Sequence, residues 1–112
     1  MKRIYIAGPM TGIPAFNFPA FNRAAHILRA LGYDVVNPAE LDAGDVGPDG
    51  KATKPYTWYL RRDLRALLDC NAVALLHGWE DSTGATLEAH VAKALGMDVR
   101  ELGDILPEAD AA

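Results

Sequence analysis

A doubly wound α/β domain is the fold class this sequence predicts. Three observations carry it: four short apolar runs alternate with helix-period patterns, the third run is apolar at every position, and the loops with unusual chemistry follow strands. Residues 4–7 are the first strand, and the loop Gly8 Pro9 Met10 Thr11 Gly12 Ile13 Pro14 after it is too rich in glycine and proline for regular structure. Phe21, Ala24, Ala25, Leu28 and Leu31 then recur at helical spacing, with Gly32 as a natural stop. Residues 33–36 form the second strand. Residues 37–55 hold Gly, Asp, Pro and Ala without periodicity, so a long loop is expected there, mobile over 39–55. Leu60, Leu64, Leu67 and Leu68 define a helix whose other side carries Arg61, Arg62, Arg65 and Asp69. Residues 72–76 read as a central strand buried on both faces. A helix over 82–96 and a strand near 98–102 complete the series, and residues 103–112 read as a frayed tail. The expectation is one domain over 1–102: a parallel sheet of about four strands in the order 2-1-3-4, with right-handed crossovers and helices on both faces.

At 112 residues, half of them hydrophobic, the chain has enough material for one sizeable core and too much for disorder. A net charge of -4 argues against a duplex nucleic-acid partner, which calls for a basic face. The single cysteine, Cys70, excludes an intramolecular disulfide framework and any multi-cysteine metal site, which fits a reducing cytoplasm. The amino terminus reaches Gly8 and Pro9 too soon for a signal-peptide apolar region, and no run approaches a membrane span. A soluble, unprocessed cytoplasmic protein is therefore expected. His26, His77 and His90 fall on different elements, so no metal site is expected either.

Glu88 is the most informative residue. On the helix over 82–96, Val91, Ala92 and Leu95 follow it by three, four and seven places, which puts a carboxylate on the apolar stripe. Burying a lone carboxylate costs several kcal/mol, about, or raises its pKa. Either Glu88 is a working site carboxylate, or it lies at the edge of the stripe with its head in water. Doubly wound sheets bind ligands at the carboxyl ends of their strands, near the switch in strand order. The loop at 8–12, the segment after Val36, and residues 77–84 all follow strands and converge on that edge, which favours the site reading.

Other candidates keep two readings each. The glycines at 8 and 12 either let the backbone approach a ligand or form a tight turn. Asp63, three residues after Leu60 and four before Leu67, either reaches the strand ends to bond a sugar or base, or is a solvated partner of an arginine. Arg61, Arg62 and Arg65 are expected to face outward. Ser82 is an N-cap, and the amides it caps are also those that bind phosphate. Cys70 reads as a small buried hydrophobe, and Trp58, Tyr59 and Trp79 as packing residues or stacking platforms.

Tyr5 Ile6 Ala7 Gly8, Asp63 Leu64, Cys70 Asn71, Ser82 Thr83 Gly84 Ala85 Thr86 Leu87 Glu88 and Ala94 Leu95 Gly96 together resemble the nucleoside 2-deoxyribosyltransferase superfamily, whose sheet is of the flavodoxin/Rossmann-like kind. Tyr5 to Gly12, Asn37 Pro38 and Gly78 Trp79 Glu80 resemble a compact branch known only as a domain of unknown function. The chain is also similar to 2'-deoxynucleoside 5'-phosphate N-hydrolases.

The resemblance implies cleavage or exchange of an N-glycosidic bond. Glu88 would attack the anomeric carbon, Tyr5 would orient it, and Asp63 would contact the base or assist its departure. Gly8, Pro9, Met10, Gly12, Ser82 and Gly84 would bind substrate. Serine at 82, where nucleoside transferases commonly carry aspartate, would favour a 5'-monophosphate and hydrolysis. The nucleotide hydrolases carry an arginine where this chain has Thr11, and Asn71 replaces a frequent aspartate. No cofactor is implied, the partner is a nucleoside or nucleotide, and a homodimer is the family expectation. The rival classes are a non-catalytic nucleotide-binding sensor using the same cleft and a phosphoribohydrolase of the lysine-decarboxylase-like group. The latter usually shows a Pro-Gly-Gly run that residues 77–81 lack.

Overall fold

The computed structural model describes residues 2–106. In chain order the elements are β1 (Arg3–Ala7), α1 (Phe18–Ala30), β2 (Asp34–Val36), α2 (Pro38–Asp42), α3 (Tyr56–Leu68), β3 (Ala72–Leu75), α4 (Thr83–Ala94), β4 (Asp98–Glu101) and α5 (Leu102–Ile105). Short 3-10 turns lie at Pro14–Asn17, Ala43–Asp45 and Trp79–Asp81. The four strands pair in parallel in the order β2-β1-β3-β4, as predicted.

Side chains alternate across the sheet and so build two cores. Ile4, Ile6, Ala72 and Ala74 face α1, where Phe21 and Leu28 are fully buried. Tyr5, Ala7, Val73 and Leu75 face α3 and α4, meeting Leu67, Ala85, Ala89 and Ala92. Every residue of β3 is buried, because it lies between two strands and under helices on both sides.

The buried stripe of α4 runs through Ala85, Glu88, Ala89 and Ala92, whereas Leu95 is 56% exposed. The predicted stripe through Leu95 was therefore turned too far round the helix. Three alanines let α4 lie close on the sheet, and that close approach is what buries the larger Glu88 among them.

Residues 37–55 are more ordered locally than the expected loop. Asn37 caps α2, its side-chain oxygen accepting from Ala39 N at 3.0 Å while its amide donates to Asn22 Oδ1 at 2.9 Å. Pro38 supplies the first helical position, where a missing N–H costs nothing. The five residues of α2 are too few to display a period, which is why the sequence pattern hid them. Beyond it, Val46 bridges Ala52, and the Tyr59 hydroxyl donates to Asp45 O at 2.6 Å and accepts from Thr53 N at 3.1 Å. The segment is thus fastened to α3.

The expected frayed tail also needs correction at its start. Leu102 and Ile105, one helical turn apart in α5, pack on the α1-side core, and residues 107–112 lie outside the described residues. Asn71 has a structural place at the amino edge of the sheet: its Oδ1 accepts from Arg3 N and its own N–H donates to Arg3 O, both at 2.9 Å. Cys70 is buried, its thiol donates to Ala66 O at 3.4 Å, and burial pushes its pKa up to about 11. No helix among the described residues is long and apolar enough to cross a membrane.

Gly8 is required by packing at the end of β1. A Cβ there would lie 2.8 Å from Leu76 Cβ, inside any tolerable contact. Gly8→Ala is expected to destabilise the fold by about 1–3 kcal/mol in urea unfolding, through overpacking of the junction between β1 and β3.

Candidate active site

The carboxyl edge of the sheet opens into a cleft of about 680 Å³. β1 delivers Tyr5 and the loop from Gly8, α2 delivers Asp42, α3 delivers Asp63, and the turn into α4 delivers Ser82, Gly84 and Glu88. Of the residues singled out in the sequence, Tyr5, Gly8, Pro9, Met10, Asp63, Ser82, Gly84 and Glu88 line this cleft. Gly12 does not: it has a φ of +81° with open space around it and serves the turn.

Glu88 is only 7% exposed and receives a hydrogen bond from the Tyr5 hydroxyl, which is itself fully buried. The two residues are far apart in sequence and meet because odd positions of β1 and the inner face of α4 share one core. Burial pushes the Glu88 carboxyl from 4.5 up to about 7; the Tyr5 hydrogen bond opposes this and the Asp42 charge adds to it. Burial first, then the charges of Glu88 and Asp63, holds the Tyr5 phenol well above its ordinary range, so it remains a donor.

Asp63 is 8% exposed, far from the solvated residue that one sequence reading allowed. Burial pushes its pKa up to about 8, aided by the Asp42 and Glu88 charges. Arg62 corrects an expectation: it turns inward. Its Nη2 donates to Asp42 Oδ1 at 2.7 Å and its Nη1 to Asp45 Oδ2 at 2.9 Å. The guanidinium lies 4.4 Å from the Trp58 ring centre, and Trp58 meets Tyr59 edge-on. Trp79 packs on the core beneath α4, with Lys93 above its ring. Trp58 and Trp79 are therefore packing residues, while Tyr59 also borders the cleft.

Ser82 caps α4, its Oγ accepting from Ala85 N at 3.1 Å. The amides of Thr83 and Gly84, in the first turn, have no α-helical acceptor before them. A Cβ at Gly84 would lie 3.0 Å from the Tyr56 hydroxyl, the outer end of a half-exposed side chain that can give way. Ala15, Phe16 and Asn17, of which Phe16 lines the cleft, all adopt left-handed backbone, with φ of 55°, 52° and 59°. Asn17 Nδ2 donates to Pro9 O at 3.0 Å, which ties this run to the first loop, and Phe16 and Phe18 face the cleft.

Asp42 and Tyr56 escaped the sequence reading, which had also set Arg62 facing outward. The Asn37-Pro38 pair, an N-cap followed by proline, was the available signal for the helix that carries Asp42. Chemically, the cleft sets an oriented carboxyl against an apolar wall and places a second acid nearby whose surroundings keep its proton. Separating two acids by their environments is the usual basis for acid and base roles.

The model of a family described as a domain of unknown function, DUF4406, matches residues 2–101. The chain belongs to that family. Solved structures similar to this DUF4406 domain include the 2-deoxyribosyltransferase of the psychrotolerant bacterium Bacillus psychrosaccharolyticus. The match has a TM-score of 0.62 and 22% identity, covering 87% of this chain and 69% of that one. At that identity the likeness establishes a shared fold, and the four-stranded parallel order is consistent with it. No curated protein matches.

Between about pH 4.5 and 7 the folded Glu88 keeps a proton that the unfolded chain has released, so its burial lowers stability as pH rises. Glu88→Gln is accordingly expected to stabilise the domain at pH 8 by on the order of 2–3 kcal/mol, with the gain fading below about pH 5. Urea unfolding of both proteins across that range measures it.

Proposed function

We propose that this domain cleaves or exchanges the N-glycosidic bond of a nucleoside or nucleoside 5'-monophosphate, with Glu88 as nucleophile. The observation that carries the reading is the buried pair in which the Tyr5 hydroxyl donates to the Glu88 carboxyl at the floor of the cleft. The shared fold of a 2-deoxyribosyltransferase supports it.

In this mechanism a Glu88 oxygen bonds to the anomeric carbon while the carbon–nitrogen bond breaks, and its electron pair leaves with the base. Asp63, kept neutral by burial, gives its proton to the departing nitrogen. Tyr5 holds the nucleophile's other oxygen and fixes its orientation. Water or a second base then attacks the glycosyl-enzyme, its proton passes to Asp63, and Glu88 is released as carboxylate. Ser82 and the first amides of α4 face the same cleft and suit the sugar hydroxyls or a 5'-phosphate. Hydrolysis fits the serine at position 82 better than transfer does. A cytoplasmic homodimer belongs to the same proposal.

Incubation with deoxynucleosides, ribonucleosides and their 5'-monophosphates should release free base from at least one class, and Glu88→Ala should abolish it. Release undiminished in that variant would sink the nucleophile, and binding with no release would favour a nucleotide sensor.

The rate should rise with pH as Glu88 ionises near 7 and fall as Asp63 loses its proton near 8, giving a narrow bell. Tyr5→Phe removes the hydrogen bond that favours the Glu88 anion. Its acid limb should move to higher pH, and its optimum rate should fall about tenfold or more.

A further inference from the structure

Two carboxyl groups, Asp42 and Asp63, line the same cleft, and of the two only Asp42 has an ion-pair partner among the described residues. Arg62 pairs with Asp42 at 2.7 Å and, through its other arm, with Asp45 at 2.9 Å. Asp63, the next residue along the helix, projects about 100° further round and receives neither arm. Its Oδ1 is buried and has no hydrogen-bond partner. A buried acceptor in that state is costly, and two ionised carboxylates have no proton to offer one another. One proton on Asp63 resolves both problems, because the acid can then donate to Asp42, whose ionised form Arg62 favours against burial.

We propose that Asp42, pinned by Arg62, is a positioning residue that keeps Asp63 in its neutral, proton-donating form. This rests on the reading above, in which Asp63 supplies the proton to the leaving base. Asp42 itself is 4% exposed and is placed by a chain of local devices: the Asn37 cap, Pro38 at the first position of α2, and the Arg62 pair. Arg62 is steadied in turn by stacking on Trp58 and by Asp45.

The groups that bear on the Asp63 proton come from every neighbouring element. Asp42 on α2 and Glu88 on α4 favour its retention, Arg62 on α3 opposes it, and burial is the largest contribution. Tyr5 of β1, with its phenol kept neutral, and Tyr56 of α3 add no charge, while Lys54 borders the same cleft. Asp42 and Arg62 thus form a device with opposed parts. The anion favours the proton on Asp63, and the cation favours the ionised form of Asp42 against the burial that raises its pKa, so that the proton rests on Asp63 rather than on Asp42.

Carbon-13 carboxyl NMR of the intact protein tests this without depending on turnover. The Asp63 resonance, assigned by its loss in Asp63→Asn, should titrate near pH 8 in the wild type. In Asp42→Asn its midpoint should fall by about one unit or more. An unmoved midpoint would overturn the proposal. Should Asp42→Asn fail to fold, the wild-type titration decides: a midpoint in the ordinary carboxylate range overturns the proposal, and a high midpoint with a second inflection as Asp42 titrates supports it.

In the base-release assay, Asp42→Asn should lose about tenfold at pH 8 and stay within about twofold of wild type near pH 6, moving the alkaline limb downward. A uniform loss at all pH values, with the wild-type limb retained, would reduce Asp42 to a structural role and overturn the proposal. Absence of release from every substrate counts against the glycosidase reading alone, and the titration then decides where the proton is held.

Discussion

Everything at the cleft depends on one constraint: a carboxyl group buried between a helix and a sheet must find a donor within the protein. Tyr5 meets that requirement for Glu88. To do so, β1 must point its odd residues toward α4, α4 must lie close enough for a phenol to reach across, and both must sit at the carboxyl edge. Parallel pairing in the observed order supplies the first condition, and the alanines at 85, 89 and 92 supply the second. The glycine at 8 supplies the third, since the chain leaves β1 in contact with Leu76.

The same burial that orients these acids also separates their chemistry. Glu88 is pushed up to about 7 and Asp63 to about 8, while Asp42 keeps Arg62 against it. Low polarity raises all of them, and their partners distinguish them: Arg62 opposes the rise at Asp42 and Asp63, and the Tyr5 hydroxyl opposes it at Glu88.

Much of this was legible in the residue pattern. A run apolar at every position over 72–76 marks a central strand, and Glu88 stands out as a carboxylate on the apolar stripe of its helix. The sequence reading brought Tyr5, Asp63 and Glu88 to one edge, and the structure places them in one cleft, with Gly12 outside it. What stayed hidden shares a physical cause. α2 is too short for a period, so Asp42 looked like loop. Arg62 turns inward to meet partners 17 and 20 residues away, which local spacing cannot register. Leu95 matches a helical stripe by arithmetic, but it caps the end of α4 off the face that Ala85, Glu88, Ala89 and Ala92 bury.

The left-handed run at Ala15, Phe16 and Asn17 has an implication for directed evolution of this domain. Residues with a Cβ resist that conformation by about 1 kcal/mol each, and three in succession persist because Asn17 is tied to Pro9 and the Phe rings have surfaces to cover. Selection for heat resistance would find ready gains here, as glycine at 15 or 16 relieves the backbone. Those gains would slacken one wall of the cleft. A library screened on stability alone would therefore drift toward a sturdier protein with a less defined ligand wall, and the rim would record that exchange before the core did.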